Sequence, residues 1–279
     1  MSNTQTSAKA PAQAQGGSSF DPSGLILLGL FVVALLFYNF VLGNGANFED
    51  GNPENHPVSE GIQKWLGTFH KGGVVVPVLL TCFLSVLTFS IERFLSLAKA
   101  TGTGSVNAFV RRVKAHLAVD NVDAALAEAD KQKGSVGNVI KSVLVRYKEI
   151  FNDSSMDRDQ KVSSLHKELE DATSLEVPML EKNLSIVATL ASVSTLIGLL
   201  GTVLGMIKAF SALANAGAPD TAALSTGISE ALINTALGIG SSALAIISYN
   251  FFTGKIDGLT YNIDEVGFSI MQNFSSKAK

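Results

Sequence analysis

Residues 222–252 read AALSTGISEALINTALGIGSSALAIISYNFF, and Glu230 is their only charged side chain. The run exceeds the roughly 20 residues that an α-helix needs to cross a hydrocarbon core of about 30 Å. An acidic residue at the centre of a membrane helix costs roughly 2.5–3.5 kcal/mol on insertion scales. A carboxylate kept at that cost either lies near water or handles ions.

Three more stretches are long and nearly free of charge: 24–43, 73–91 and 184–214. A chain of 279 residues with 47% hydrophobic and 16% charged residues could be soluble or membranous by composition alone. Segregation of the apolar residues decides for the membrane. The fold class expected is all-α, a polytopic helical protein with spans at 24–43, 73–98, 184–214 and 222–252. A disordered tail (1–23), an intervening segment (44–72), a helical block (99–183), a turn (215–221) and a C-terminal segment (253–279) complete the chain. A cleaved signal ending near Ala46 is the alternative reading of the N-terminus.

The net charge of −3 says little about partners, because its sign is set by loops on opposite sides of the membrane. Most of the 21 Lys and Arg fall between Arg93 and Lys182, whereas 44–72 carries only Lys64 and Lys71 beside Glu49, Asp50, Glu54 and Glu60. The positive-inside rule therefore puts the 93–182 block in the cytoplasm, both termini inside, and 44–72 and the 215–221 turn outside.

Within the block, apolar residues recur at three- and four-residue spacing in VNAFVRRVKAHL, VDAALAEADKQ and VGNVIKSVLVRYKEIF, which predicts amphipathic helices. Asn152 to Ser155 mark a break. From Met156 the helical pattern runs into the third span with Pro178 as its sole interruption, so that span is expected to belong to a longer helix projecting from the membrane.

The third and fourth spans are rich in Gly, Ser and Thr, whereas the first two are rich in Leu, Phe and Val. Small residues let helix backbones approach closely, which gives Gly198, Gly201, Gly205 and Gly238 a packing role. The turn signal NAGAPD makes the two spans an antiparallel hairpin with Asp220 or Thr221 as N-cap. Counting from Thr221 puts Glu230 roughly 14 Å in, near mid-membrane, with Thr202 of the third span at similar depth. Thr226, Glu230, Asn234 and Gly238 share one helix face, and Thr235 sits on its edge. Lys208 counts to the outer half of the third span, leaving Glu230 without a neutralising partner. An unpaired carboxyl in such surroundings holds its proton more tightly than in water. Glu230, Thr202, Thr235 and Asn234 are thus the candidate pore-lining residues.

Other chemistries find no support. Cys82 is the only cysteine and lies within a span, so no intrachain disulfide is possible. His56, His70, His116 and His166 are scattered without ligand spacing, so no metal site is expected. Gly254-Lys255 lacks the upstream glycine of a phosphate-binding loop, because Tyr249 stands there. No nucleophile-and-base set points to an enzyme, and no cofactor or nucleic-acid partner is expected.

The segment LEKNLSIVATLASVSTLIGLLGTVLGMIKAF resembles the GLLGTVxG signature of the MotA/TolQ/ExbB proton channel family. GISEALINTALGIGSSALAIISYNFF resembles the GIxEALxxTAxGLxxAIPAxxxYNxF signature of its ExbB branch, and IERFLSL after the second span extends the likeness. The resemblance implies a subunit of a bacterial inner-membrane motor, with five copies surrounding a pair of single-span ExbD-like helices and proton flow acting on a TonB-like protein. It also implies phospholipid contact, matches Glu230, Thr202 and Thr235 to the family's pore positions, and assigns the proton-binding aspartate to the partner. A TolQ-like envelope role or a motility stator would use the same residues; a proton-coupled solute transporter is the alternative outside the family. Departures are the added span at 24–43, Ser194-Thr195 where many members have Ala-Pro, and Ala-Leu-Ala at 243–245 in place of Ala-Ile-Pro.

Overall fold

The computed structural model describes residues 22–151, 153–214 and 220–277. The expected tail up to residue 21, the break at Asn152 and the turn at 215–219 lie outside the described residues. Among the described residues the ordered elements are helices, and the one pairing of extended backbone is an isolated bridge between Phe48 and Pro57. Helices long and apolar enough to cross a membrane occur at Ser23–Leu42 and Gly73–Ala100 and within Arg158–Ala214 and Thr221–Lys277. The chain is a four-span helical membrane protein, as the apolar runs predict.

Helix α1 (Pro22–Leu36) continues through a π-helical turn, Phe37–Leu42. Only 11% of its most apolar window is buried within the chain, so the added span leaves most of its surface to lipid. A loop and α2 (Gly61–His70) lead to α3 (Val76–Ala100), which packs against α1. The two run antiparallel: Ser23 donates to Asn183 Oδ1, which sits beside Glu92 of α3, while Tyr38 donates to the His70 carbonyl near the start of α3.

The block between the second and third spans forms α4 (Val106–Ala118), α5 (Val122–Gln132), α6 (Gly134–Phe151) and α7 (Arg158–Glu181). Asn121 caps α5 by accepting from the Ala124 N–H. Asp157 and Gln160 form a reciprocal capping box on α7. These helices close on the distal half of α9 (Thr221–Lys277) around Phe109, Val113, Ile140, Leu144, Leu165, Ile263, Ile270 and Phe274, all buried. That packing explains why no helix break marks residue 253. Ile256, Leu259, Ile263, Val266, Ile270 and Phe274 continue a three- and four-residue spacing past Gly254 and Gly258. The helix of 57 residues is therefore roughly 85 Å long.

The expectation that Pro178 interrupts the helix leading into the third span is corrected. Pro178 is carried inside α7, and the break falls later, at Lys182 (ψ 138°) and Asn183 (φ 60°), before α8 (Leu184–Ala214). Asparagine tolerates the left-handed region better than most residues. The break frees the last carbonyls of α7, and Arg93, 2% exposed, donates to those of Met179 and Leu180 at 3.4 and 3.2 Å. Its charge is met by Glu92, which accepts from Arg93 Nε at 2.8 Å and from Asn183 Nδ2 at 3.2 Å. A cation at a helix C-terminus is favoured by the axial dipole as well as by the free carbonyls.

Arg93→Leu should leave the Met179 and Leu180 carbonyls without their side-chain donor and Glu92 with Asn183 alone, at a cost of roughly 2–3 kcal/mol, with Arg93→Lys recovering only part because one ammonium cannot reproduce the fork. Thermal unfolding in detergent checks this; an unchanged midpoint for Arg93→Leu would remove the capping role.

Candidate functional site

The hairpin of α8 and α9 is built on backbone contact. A β-carbon at Gly198 would come 3.0 Å from both the Asn234 carbonyl and Gly238 Cα, and one at Gly238 would come 2.7 Å from the Ser194 carbonyl. Gly205 and Gly227 face each other in the same way, and Gly201 gives room to the Asn234 side chain. Gly198, Gly201, Gly205 and Gly238 all lie at the contact between the two helices. Asp220 caps α9 by accepting from the Ala223 N–H at 2.9 Å, as the turn pattern predicts.

This register sets Thr202 against Thr235, whose hydroxyls hydrogen-bond to each other across the two helices. Each also lies within reach of a carbonyl one turn back, Gly198 for Thr202 and Ala231 for Thr235. Both side chains remain partly exposed, so this pair is open on the surface of the single chain.

One turn further towards the hairpin tip is Glu230, 5% exposed. The expectation that it has no cationic partner is corrected: Lys208 Nζ of α8 lies 2.8 Å from each carboxylate oxygen. The Lys208 side chain is 58% exposed, so its ammonium reaches inward to a buried acid while its stem lies along an open face. The sequence contained the signal. The same hairpin count that sets Thr202 opposite residue 233 sets Lys208 opposite 227, less than one helical turn from Glu230, and four methylenes span the difference.

On its other side Glu230 meets the 72–73 turn that opens α3. Gly73 has φ +76°, a conformation natural to glycine, and a β-carbon there would fall on the Glu230 carboxylate. Asn234, 0% exposed, donates Nδ2 to the Gly72 carbonyl at 2.9 Å, and its Oδ1 finds no hydrogen-bond partner among the described residues. Asn234 is therefore interior to the chain and does not line an open surface, which corrects the sequence expectation. The Glu230, Asn234 and Gly238 part of the stripe faces α8 and the glycine turn, while Thr226 is exposed and bonds the Ala222 carbonyl of its own helix.

Glu230 packs at the level of Gly73, where the apolar helix Gly73–Ala100 begins. From Gly73 to Arg93 is a rise of roughly 30 Å. The site thus sets a carboxylate with its cation one turn along the hairpin from a hydroxyl pair. No cluster of three or more His, Cys, Asp or Glu able to hold a metal occurs among the described residues.

Gly73→Ala should destabilise by about 1–3 kcal/mol, from the left-handed backbone and the collision with Glu230. Gly254→Ala, where nothing lies within 4 Å, should be neutral or stabilising. Glu230→Ala should relieve only part of the Gly73→Ala penalty, since the backbone strain persists. Unfolding midpoints of the single and double variants read these differences, and equal midpoints for Gly73→Ala and Gly254→Ala would contradict the contact.

Residues 137–265, which contain the hairpin and its glycines, match the model of the MotA/TolQ/ExbB proton channel family. The chain is 31% identical over 124 residues to the Tol-Pal system protein TolQ of Pseudomonas aeruginosa, covering 44% of this chain and 54% of that protein. It is 24% identical over 163 residues to the biopolymer transport protein ExbB of Pseudomonas putida, covering 58% of this chain and 50% of that one. A putative biopolymer transport protein, ExbB-like 3, of Synechocystis is 37% identical over 86 residues, 30% of this chain and 41% of that protein. The chain spans about half or less of the length of these relatives. Residues 137–265, with their glycine-packed hairpin and buried glutamate, are thus the part of the chain that is similar to the MotA/TolQ/ExbB proton channel family.

Proposed function

We propose that the protein is a proton-conducting subunit of a bacterial inner-membrane motor of the ExbB type, with the α4–α7 block and the distal half of α9 in the cytoplasm. The observation that carries this is the Glu230–Lys208 pair, a carboxylate 5% exposed held by a lysine whose side chain is 58% exposed, within the segment that matches the family. The partly exposed Thr202–Thr235 pair one turn away supports a pathway along the open face of the hairpin. An ionisable group kept inside a span is functional by default, since packing alone is served more cheaply by apolar residues.

In this reading several copies, five by the family likeness, form a ring around ExbD-like single-span helices. Glu230 acts as a wall or relay group, and Lys208 keeps it oriented. The partner's acid enters beside the exposed stem of Lys208, and the resulting motion acts on a TonB-like protein that drives outer-membrane transport. The similarity to TolQ over 124 residues favours a second reading of the same machinery, in which the work maintains the envelope. The partner's domain outside the membrane separates the two.

Glu230→Gln and Glu230→Ala, co-expressed with an ExbD-like single-span protein, should lower proton leak and TonB-dependent uptake by about tenfold or more, as expected for an essential intramembrane acid. Lys208→Met should lower both by a smaller factor, since the acid remains but loses its orientation. Wild-type leak and uptake in both Glu230 variants, at normal protein levels, would overturn the proposal. Intact uptake combined with detergent sensitivity would move the protein to the envelope role.

A further inference from the structure

Helix α2 carries Ile62, Trp65, Leu66 and Phe69 at spacings of three, one and three, a single apolar stripe on a ten-residue helix. The opposite face is accounted for. Gly67 is buried, and a β-carbon there would come 2.6 Å from the Asn47 carbonyl and 3.0 Å from Pro57, so this face packs on the preceding loop. The stripe is not covered by the chain in the same way: Ile62 is 70% exposed and Trp65 62% exposed.

The position of the stripe is fixed by its C-terminal end. His70 stacks on Tyr38 with ring centroids 4.6 Å apart, and the Tyr38 hydroxyl donates to the His70 carbonyl at 3.1 Å. Tyr38 lies one turn inside the end of the span Ser23–Leu42. Three residues beyond His70 the backbone begins the next span, at Gly73. The helix is thus pinned between the adjacent ends of two membrane spans. Trp65 is five residues from His70, so along the helix axis it rises by at most roughly 7.5 Å, about the depth of one interfacial layer of a bilayer. Phe40 on the last turn of the first span and Val74 at the start of the next are 69% and 73% exposed, which extends the apolar surface on both sides of α2. Lys64, exposed and without an ion pair among the described residues, projects about 100° round the helix from Trp65.

We propose that α2 is an interfacial helix whose Ile62–Trp65 edge lies in the phospholipid leaflet at the hairpin end of the bundle, with Lys64 at the level of the phosphates. A tryptophan with one apolar body and one N–H donor suits that layer, and apolar stripes flanked by lysine bind it through buried area and charge together. The inference stands apart from proton conduction. It depends only on the chain crossing a membrane, and it assigns a role to the segment before the second span, which lies outside the family match. The helix braces the 72–73 turn against Glu230 from the lipid side.

Trp65 is the only tryptophan of the chain, so its fluorescence reports this site alone. The full-length protein would be reconstituted in phosphatidylcholine vesicles, with lipids brominated either near the headgroup end or near the methyl end of the acyl chain. Bromines near the headgroup should quench the emission by roughly half, and bromines near the methyl end much less, as for a side chain in the interfacial layer. Trp65→Phe combined with Gln63→Trp moves the reporter to the opposite face of the helix, and its emission should stay nearly unquenched. No quenching of Trp65 by either lipid would overturn the proposal and leave the stripe to a protein partner, a second copy included. Equal quenching at positions 63 and 65 would overturn it too, since no face would then be chosen. Circular dichroism and elution volume matched to the wild type confirm that the doubly substituted protein is folded.

Discussion

The contact between the α8 and α9 backbones is the constraint on which the rest of the site depends. In lipid, two apolar helices gain nothing from the hydrophobic effect by meeting, because lipid tails are as apolar as leucine. Close packing and hydrogen bonds must hold them. Gly198, Gly205, Gly227 and Gly238 remove the side chains that would keep the backbones apart. The resulting register brings Thr202 to Thr235 and Lys208 to Glu230. Larger residues along the seam would separate the helices, and both polar pairs would then lose their partners together.

The buried carboxylate follows from the same geometry. Taking an ionised carboxylate out of water costs several kcal/mol after relaxation, and a well-placed cation repays this only if the remaining lone pairs are met. Lys208 supplies two short contacts at once, and its exposed stem keeps the desolvation cost largely on one partner. Glycine at 73 lets a turn of main chain press against the acid where any side chain would push it away. The pair is held in place, yet on one side the Lys208 side chain stays 58% exposed.

Much of this was legible in the sequence. The four apolar runs, the amphipathic block, the Asp220 cap and the packing glycines all follow from periodicity and small-residue patterns, which are local. Thr202 and Thr235 followed from one count across a hairpin, and the signatures quoted above pointed to the family. What escaped was non-local. Asn234 sits on the same helical face as Glu230, but its interior position depends on Gly72, 162 residues away. The contact of Gly73 with Glu230 depends on where α3 begins relative to the hairpin, which no count within the hairpin contains. Arg93 reads in sequence as a charge flanking a span and proves in the structure to be a buried cap, because the break at Asn183 exposes carbonyls from a distant helix.

These long-range contacts share a design. The pair formed by α1 and α3 joins the hairpin through polar groups at both ends of the membrane layer. At one end Asn183 donates to Glu92, Ser23 donates to Asn183, and Arg93 binds the last carbonyls of α7. At the other, Asn234 binds the Gly72 carbonyl and Gly73 rests on Glu230. Between them the contacts include Cys82, Val86 and Phe89 against Val187, Leu190 and Ala245, which are apolar and would slide past one another in lipid at little cost. Polar contacts roughly 30 Å apart therefore set the register of the bundle. A shift of one helical turn would break both sets at once, so the register that seats Glu230 is the one the far end also enforces.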